Sequence, residues 1–403
     1  MVGMSNRRKA LYVFIFIFAT MLGLLIFNVY PTILNTYTSI TNRNKFRPYP
    51  DCDVTLNNVL VPFCWPGFDI PQGTGGKFVI IEPLKENYSK ILGDVFTVPG
   101  MVNFGLVLLC IVPIVVAWRA DRRFDQQIER RFSRGVVWLL GGSIAILCLL
   151  VFGFSAWRFL FNSGDFMAVL LRTIIFVILR VPLTFGIGFL MALIVTSPGL
   201  PVRNFWRLVL FIPWAASSVA ILTSLIWQFF FREQGTINQV LDLLFNIKGP
   251  VWLNNPFTAF GVILLVDIWY SYPFFMIAIL GAMAAIPNDS YEAAEIDGAS
   301  YWDQLRNITM PLIRPAILPA IVLTSITAFQ MFGTVWAITQ GGPTAGAGKP
   351  GATELVLVYG YKQIFQLQNY GSATAFATII FVLLFIATMI SLRVSRLTRG
   401  VNE

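Results

Sequence analysis

Long apolar segments constrain this chain more than any other feature. A helix needs about 20 mostly apolar residues to cross a bilayer. Eight segments reach roughly that length: 10–30, 101–118, 136–154, 169–196, 206–231, 257–284, 313–337 and 371–392. The 403 residues are 56% hydrophobic and only 12% charged, which excludes an ordinary soluble enzyme. The sequence therefore predicts an all-α membrane protein with eight transmembrane helices.

The distribution of lysine and arginine predicts the orientation. The chain holds 29 Lys and Arg against 20 Asp and Glu, a net charge of +9. With the N-terminus in the cytoplasm, the cytoplasmic segments carry 16 of the basic residues and the longer outer segments carry 11. Because basic residues concentrate in cytoplasmic loops, we expect both termini in the cytoplasm of a bacterial cell (inner) membrane protein. The basic residues stand at the ends of apolar runs, so nucleic acid is not an expected partner.

The apolar segments divide the chain into five expected parts. Residues 1–40 form the cytoplasmic N-terminus and first transmembrane helix, and residues 41–100 a periplasmic or extracellular loop. Residues 101–160 supply helices two and three, residues 161–395 helices four to eight, and residues 396–403 a cytoplasmic tail. A short strand at Lys77–Ile81 is predicted inside the first loop. We expect that loop to be a small ordered cap.

Cysteine and histidine usage narrows the chemistry further. The chain contains no His, which excludes Ser-His-Asp catalysis and His-ligated metals, and no metal site is expected. Cys52 and Cys64 lie in the polar first loop, and a disulfide between them is predicted if that loop faces an oxidising space. Cys110 and Cys148 stand in apolar runs and are predicted to be small buried hydrophobic residues.

One cytoplasmic segment, residues 286–311, has helix start and stop signals that an ordinary loop lacks. Asp289 and Glu292 resemble a capping box that opens a short helix. Gly298 can end that helix in a left-handed conformation, Ser300 can cap a second helix, and Pro311 is predicted to stop it. Two short helices at an angle are therefore expected. Composition alone also allows an ordinary interfacial loop.

The same residues carry a family resemblance. Glu292-Ala293-Ala294, then Gly298, then Ile308-Thr309-Met310-Pro311 resembles the EAA signature of permease subunits of binding-protein-dependent ABC importers. The resemblance extends from about residue 169 to 395. Phe211-Ile212-Pro213-Trp214 and Thr339-Gln340-Gly341-Gly342-Pro343 are similar to the carbohydrate-uptake branch, in which maltose-type transporters have an eight-helix permease.

The resemblance implies a type I ABC importer permease core with a cytoplasmic coupling hairpin. The chain would not itself be an enzyme and would hold no cofactor, since ATP and Mg would bind two cytosolic ATPase subunits. Its other expected partners are a homologous second permease, a periplasmic or lipid-anchored sugar-binding protein, a sugar of the maltose or α-glucoside class, and membrane lipid. The residues expected to couple to the ATPases are Glu292, Ala293, Ala294, Asp297 and Gly298.

The resemblance also places a sugar site within helices five to seven. Aligned on the maltose-type permeases, the expected substrate contacts fall on Trp214, Ser218, Asp267, Tyr270, Ser271, Thr324, Ala328 and Met331, with Gln330 as a neighbouring substitute. Sugars offer hydroxyl groups around apolar C–H faces, so a site needs a few polar groups among aromatic surfaces. Several of these residue types meet that need.

Two charged residues inside predicted helices each allow two interpretations. A carboxylate in hydrocarbon costs about 2.5–3.5 kcal/mol on insertion scales, so Asp267 needs a cavity or a partner charge. It is either a ligand for sugar hydroxyls or one half of an ion pair with Arg172, Arg180 or the second permease. Arg180 either pairs with an acidic group or contacts substrate.

Two other classes of function remain open at this point. A secondary sugar transporter would explain the helices and the buried charges, but it would typically show two similar halves and needs no capped cytoplasmic hairpin. A membrane-embedded glycosyl transferase would usually need clustered carboxylates near a membrane face, whereas Asp267 is isolated in its helix.

Overall fold

A computed structural model describes residue 14 and residues 17–53, 55–65, 75–93, 97–124, 131–197, 199–344, 346 and 349–395. Within these ranges seven helices are long and apolar enough to cross a membrane. A bent pair of shorter helices gives an eighth crossing if the two are counted as one span. The prediction of an all-α membrane protein is therefore confirmed.

The chain forms two compact units, residues 1–93 with 360–383 and residues 94–359 with 384–403. The elements of the first unit are α1 (Ile17–Ser39, with a π-helical turn at Leu25–Val29), β1 (Tyr49–Pro50), α2 (Thr55–Leu60), β2 (Lys77–Phe78) and α3 (Glu86–Leu92). The two strands pair in parallel, with Tyr49 opposite Lys77. The strand predicted at Lys77–Ile81 is present but shorter. The start of the first predicted span, residues 10–13, lies outside the described residues.

The segment after α1 is an ordered cap with its own small core. Tyr37, Val61 and Phe78 are buried together. Cys52 and Cys64 form a disulfide, with Cα atoms 5.4 Å apart. On its surface the Lys77 ammonium lies 3.0 Å from Asp51 Oδ1. The hydrogen bond from Lys77 lowers the pKa of the Asp51 carboxyl below its ordinary value.

The second unit is a bundle of helices. Its members are α4 (Val98–Phe124), α5 (Arg131–Cys148), α6 (Phe154–Asn162), α7 (Asp165–Thr196), α8 (Arg203–Ala216), α9 (Ala220–Phe230), α10 (Thr236–Phe245), α11 (Pro256–Ala284), α12 (Asp289–Ile296), α13 (Tyr301–Gln304), α14 (Met310–Phe329) and α15 (Gly333–Thr339). In sequence they are followed by α16 (Val356–Tyr361) and α17 (Tyr370–Ser395). A π-helical turn at Leu149–Gly153 joins α5 to α6, so the third span continues to Asn162.

Two predicted continuous helices are broken in the structure. The fifth, expected over 206–231, divides at a 3₁₀ turn, Ser217–Val219, into α8 and α9. The Ser217 hydroxyl donates to the Trp214 carbonyl at 2.6 Å, and such local bonds compete with the helical ladder. The seventh, expected over 313–337, ends at Phe329 and resumes at Gly333. Both breaks correct the sequence-based expectation.

Helix α11 lies at the centre of the second unit and packs most closely on α7. Gly188 of α7 faces Phe275 of α11, and a Cβ atom at residue 188 would lie 2.7 Å from the Tyr272 carbonyl oxygen. Only glycine permits this approach of two helix backbones. One buried cluster surrounds Phe275 and Ile279 on the same helix. The close approach at Gly188 determines which face of α11 packs against α7.

Candidate functional site

A cavity of about 430 Å³ opens within the second unit. Six of the described helices contribute to its wall, α7, α8, α9, α11, α14 and α15, together with the turn after α8 and the break before α15. The lining residues are Arg180, Trp214, Ser217, Ala220, Asp267, Tyr270, Ser271, Phe274, Leu323, Thr324, Thr327, Met331, Gly333 and Thr334. The wall combines hydroxyl groups, aromatic rings and one pair of charges. Both breaks in the predicted helices border it.

The two charged residues in the wall are paired with each other. Arg180 lies near the middle of the 32-residue helix α7 and is 4% exposed, and Asp267 of α11 is 2% exposed. The Arg180 Nε atom contacts the Asp267 Oδ2 atom. Arg172 has a different role, because its Nη1 atom donates to the Gly351 carbonyl at 2.8 Å. Of the ion pairs considered for Asp267, the structure forms the one with Arg180.

The Arg180 guanidinium also connects two other groups of the wall. Its Nη1 atom donates to the Thr324 carbonyl at 3.2 Å, and its Nη2 atom donates to Ser271 Oγ at 2.8 Å. Arg180 therefore joins α7 to α11 and α14 at the level of the cavity. A planar group with five N–H donors is suited to such a fixed, multiply bonded position.

Two aromatic side chains of the wall, Tyr270 and Trp214, differ in how they are held. The Tyr270 hydroxyl donates to Thr223 Oγ1 at 2.6 Å, which ties α11 to α9. Trp214 is 44% exposed, and its ring lies 5.0 Å from that of Phe211. The Trp214 face is thus available to a molecule in the cavity. Tyr270, in contrast, is held in place by the protein.

Most of the predicted contact residues meet at this cavity. Its wall includes Trp214, Asp267, Tyr270, Ser271, Thr324 and Met331. The side chain of Ser218 lies outside the described residues. Ala328 is fully buried and does not line the wall. Gln330 follows the last residue of α14 and is also outside the wall, although its neighbour Met331 lines it.

Sequence reasoning did not name Ser217, Thr327 or Thr334 as wall residues. Thr327 follows Thr324 by three positions on α14, so helical spacing alone could have indicated it. Ser217 and Thr334 carried no such signal. They reach the wall because the helix breaks at Ser217–Val219 and before Gly333 bring them there.

Of the two short helices predicted around the EAA residues, α12 is a separate short helix, whereas α13 is the first turn of a longer helix that continues into α14. Glu292, Ala293 and Ala294 lie on α12, which ends at Ile296. Gly298 has φ of +75°, a left-handed conformation that favours glycine. Ser300 caps α13 in a full capping box with Asp303. The capping box expected from Asp289 and Glu292 does not form, since α12 starts with no side-chain cap at Asn288.

Pro311 does not stop the second helix, which is a further correction. The chain runs from α13 through a π-helical turn, Leu305–Thr309, into α14 as one helix from Tyr301 to Phe329. A proline removes one backbone donor and its ring clashes with the preceding turn. Here Pro311 stands in the first turn of α14, directly after the wider π-helical turn, which avoids that clash.

The α12–α13 segment exposes large apolar side chains. Ile296 is 87% exposed and Trp302 is 73% exposed, with Tyr301 beside it. The inner side of the segment is anchored by the Tyr291 hydroxyl, which lies 3.0 Å from Thr309 Oγ1. One side of the segment is therefore fixed to the bundle while the other presents an apolar surface.

Several membrane-crossing helices around a mostly apolar cavity with a few polar groups define the class of a multi-pass membrane protein. Residues 184–398 match the family described as "Binding-protein-dependent transport system inner membrane component". This is more than half of the chain, and the chain belongs to that family.

Curated relatives and a solved structure support the assignment. The chain is 35% identical over 241 residues to the maltose/maltodextrin transport system permease protein MalF of Vibrio vulnificus (strain YJ016). The aligned stretch covers 58% of this chain and 46% of that protein. It is 34% identical over 238 residues to the protein of the same name from Salmonella typhimurium, again 58% and 46%. The chain thus spans about half the length of the curated relatives it matches.

Among solved structures, the fold is similar to a chain of a bacterial ABC transporter involved in the import of the acidic polysaccharide alginate. The TM-score is 0.52 at 20% identity, over 69% of this chain and 98% of that chain. This similarity establishes the fold of the helical bundle.

Proposed function

We propose that this chain is the permease subunit of an ATP-driven importer that moves a sugar or oligosaccharide of the maltose or α-glucoside class across the inner membrane. An external binding protein delivers the sugar, and this chain and a second, homologous permease form the path. Two cytosolic ATPase subunits bind ATP and Mg and drive the cycle.

The cavity is the observation that carries the proposal. The exposed Trp214 and the hydroxyl-bearing residues Ser271 and Thr327 line the same cavity. An aromatic face packs against sugar C–H groups, and hydroxyl groups exchange hydrogen bonds with sugar hydroxyls. The relatives named for maltose transport support the same class of substrate.

The α12–α13 segment supports coupling to ATPase subunits. Its exposed residues Glu292, Ile296 and Trp302 combine an acidic group with large apolar side chains, which suits a groove on another protein. Tyr291 anchors the segment to the helix that continues into α14. A displacement of the segment by a bound ATPase subunit would therefore be transmitted to α14, the helix that carries Thr324.

The proposed orientation places the cap outside the cell and both termini in the cytoplasm. The Cys52–Cys64 disulfide fits an oxidising outer space. In intact cells, a membrane-impermeant thiol reagent should label these two cysteines only after a reductant is added. Labelling that requires permeabilised cells would place the cap inside and reverse the orientation.

Transport by the complete importer tests the function itself. The chain would be purified with its second permease and ATPases, reconstituted in proteoliposomes and supplied with its binding protein and radiolabelled maltotriose. We expect uptake that needs both ATP and the binding protein. Uptake that follows an ion gradient without ATP would support a secondary transporter instead, and uptake of no sugar from a broad panel would overturn the sugar assignment.

A further inference from the structure

The cavity wall carries two opposite charges and no net charge. Among the described residues that line it, Arg180 and Asp267 are charged, and the other twelve are neutral. The Nε atom of Arg180 contacts the Asp267 carboxylate directly, and both side chains are almost fully buried. A guest in the cavity therefore meets a wall whose positive charge is already compensated.

The remaining bonds of the guanidinium leave little capacity for a second anion. Two more of its five N–H groups are committed to the Thr324 carbonyl and the Ser271 hydroxyl. Two N–H groups remain, but Asp267 already neutralises the guanidinium, so a guest carboxylate becomes its counter-ion only if Asp267 is released and left as an unpaired buried charge. Removing one partner from a buried pair is strongly unfavourable.

Neutral hydroxyl groups face no such obstacle. Ser271 Oγ accepts from Arg180, so its own O–H remains a donor for a guest oxygen. Thr327 Oγ1 donates to the Thr324 carbonyl, so its lone pairs remain acceptors for a guest hydroxyl. An anionic guest would lose its hydration in this cavity without gaining a free cation.

We propose that the Arg180–Asp267 pair determines the charge selectivity of the path, so that this wall accepts uncharged sugars and rejects sugars that carry a carboxylate. The inference rests on the proposed function and specifies its substrate class. A pair that only holds helices together would leave charge selectivity unchanged when one of its charges is removed.

The test compares two probes that differ by one carboxylate. These are maltotriose and the same trisaccharide with one C6 oxidised to a glucuronate. Their affinities would be measured by titration calorimetry on the whole transporter in nanodiscs, without the binding protein, so that the permease site alone is read. We expect the parent to bind maltotriose at least about tenfold more tightly.

Substitutions then assign the preference to the pair. Asp267→Asn leaves a net positive wall and should shift the ratio of affinities toward the oxidised sugar by about tenfold or more. Arg180→Gln leaves a net negative wall and should shift it the other way. The double variant Arg180→Gln/Asp267→Asn is again neutral and should restore the parental ratio.

Each possible result supports or overturns the proposed charge selectivity. Equal affinity of the parent for the two probes, or a folded Asp267→Asn variant with the parental ratio, would overturn the inference while the sugar function stands. If neither single variant folds, Met331→Lys takes their place, because it adds a positive charge to the wall and leaves the pair intact. It should shift the ratio toward the oxidised sugar, and a parental ratio in this variant would overturn the inference. A parent that binds neither probe would overturn the inference, and the uptake assay with the binding protein would decide separately whether the sugar function stands.

Discussion

The cavity wall and the α12–α13 segment place polar and apolar groups in opposite ways. In the wall, the charged atoms of Arg180 and Asp267 are buried and bonded to each other. In the segment, the apolar side chains of Ile296 and Trp302 are exposed. Each arrangement is costly for a protein that acts alone, since one buries charges and the other leaves hydrophobic surface uncovered.

The contrast indicates two different kinds of partner. A wall of buried, mutually bonded polar groups with an exposed indole suits a small molecule with many hydroxyl groups. A surface with large exposed apolar side chains suits another protein. If this distinction is correct, substitutions in the wall should change stability and sugar binding, whereas those in the segment should change coupling and leave the fold intact.

The largest effect is expected from breaking the buried ion pair. Arg180→Gln leaves the Asp267 carboxylate without its partner, so the free energy of unfolding in detergent should fall by about 3–5 kcal/mol. Arg180→Gln/Asp267→Asn should cost less, because no lone charge remains. Arg232→Gln, on the surface, is the control and should change stability by less than about 0.5 kcal/mol. Equal losses for the single and double variants would show that the two charges are not coupled.

The next effect concerns coupling through the α12–α13 segment. Glu292→Lys reverses an exposed charge, and Gly298→Pro replaces φ of +75° by the −65° that proline requires. Both should lower ATP-dependent uptake at least about tenfold, equivalent to ~1.4 kcal/mol, while sugar binding persists. Asp242→Lys, the same charge reversal on the exposed face of α10, is the control. Normal transport in both segment variants would refute the coupling role.

A smaller effect is expected at the aromatic face of the cavity. Trp214→Ala removes the exposed indole, and the affinity of the purified transporter for maltotriose should fall about fivefold, or ~1 kcal/mol. Trp206 lies on the same helix with similar exposure but outside the cavity, so Trp206→Ala is a matched control. A similar loss in both variants would indicate a general effect on α8 and not a sugar contact.

The smallest effect is local to the second short helix. Ser300→Ala removes the side-chain acceptor of the Asp303 amide, so amide hydrogen exchange at Asp303 should rise about threefold, or ~0.6 kcal/mol. Ser290→Ala makes the same change on α12, which lacks a side-chain cap, and should leave exchange unaltered. Unchanged exchange in Ser300→Ala would mean that packing alone orders α13.

Much of the fold could be read from local sequence patterns. Apolar runs of about 20 residues located the helices, because a bilayer requires each crossing segment to satisfy its own backbone hydrogen bonds. Gly298 indicated the end of α12, because glycine readily adopts a positive φ, and Ser300 indicated the start of α13, because its hydroxyl can cap a helix. Pro311 misled the prediction, since its effect depends on the π-helical turn that precedes it and not on proline alone.

The candidate site was predicted less completely. The family resemblance placed Asp267, Tyr270 and Ser271 in the sugar site, and all three line the cavity. Ser217 and Thr334 were missed because the helix breaks that bring them to the wall leave no pattern in hydrophobicity. Gln330 was expected in the wall but follows the end of α14.

The sequence by itself determined the membrane-spanning helical class, the positions of most helices and the two-helix cytoplasmic segment. These features depend on residues within one or two turns of each other, whose spacing the sequence states directly. Only the tertiary structure decided that Arg180, and not Arg172, pairs with Asp267. That choice depends on how α7 packs on α11, where the absence of a side chain at Gly188 lets the two backbones approach, and no local pattern specifies a contact between residues 87 positions apart.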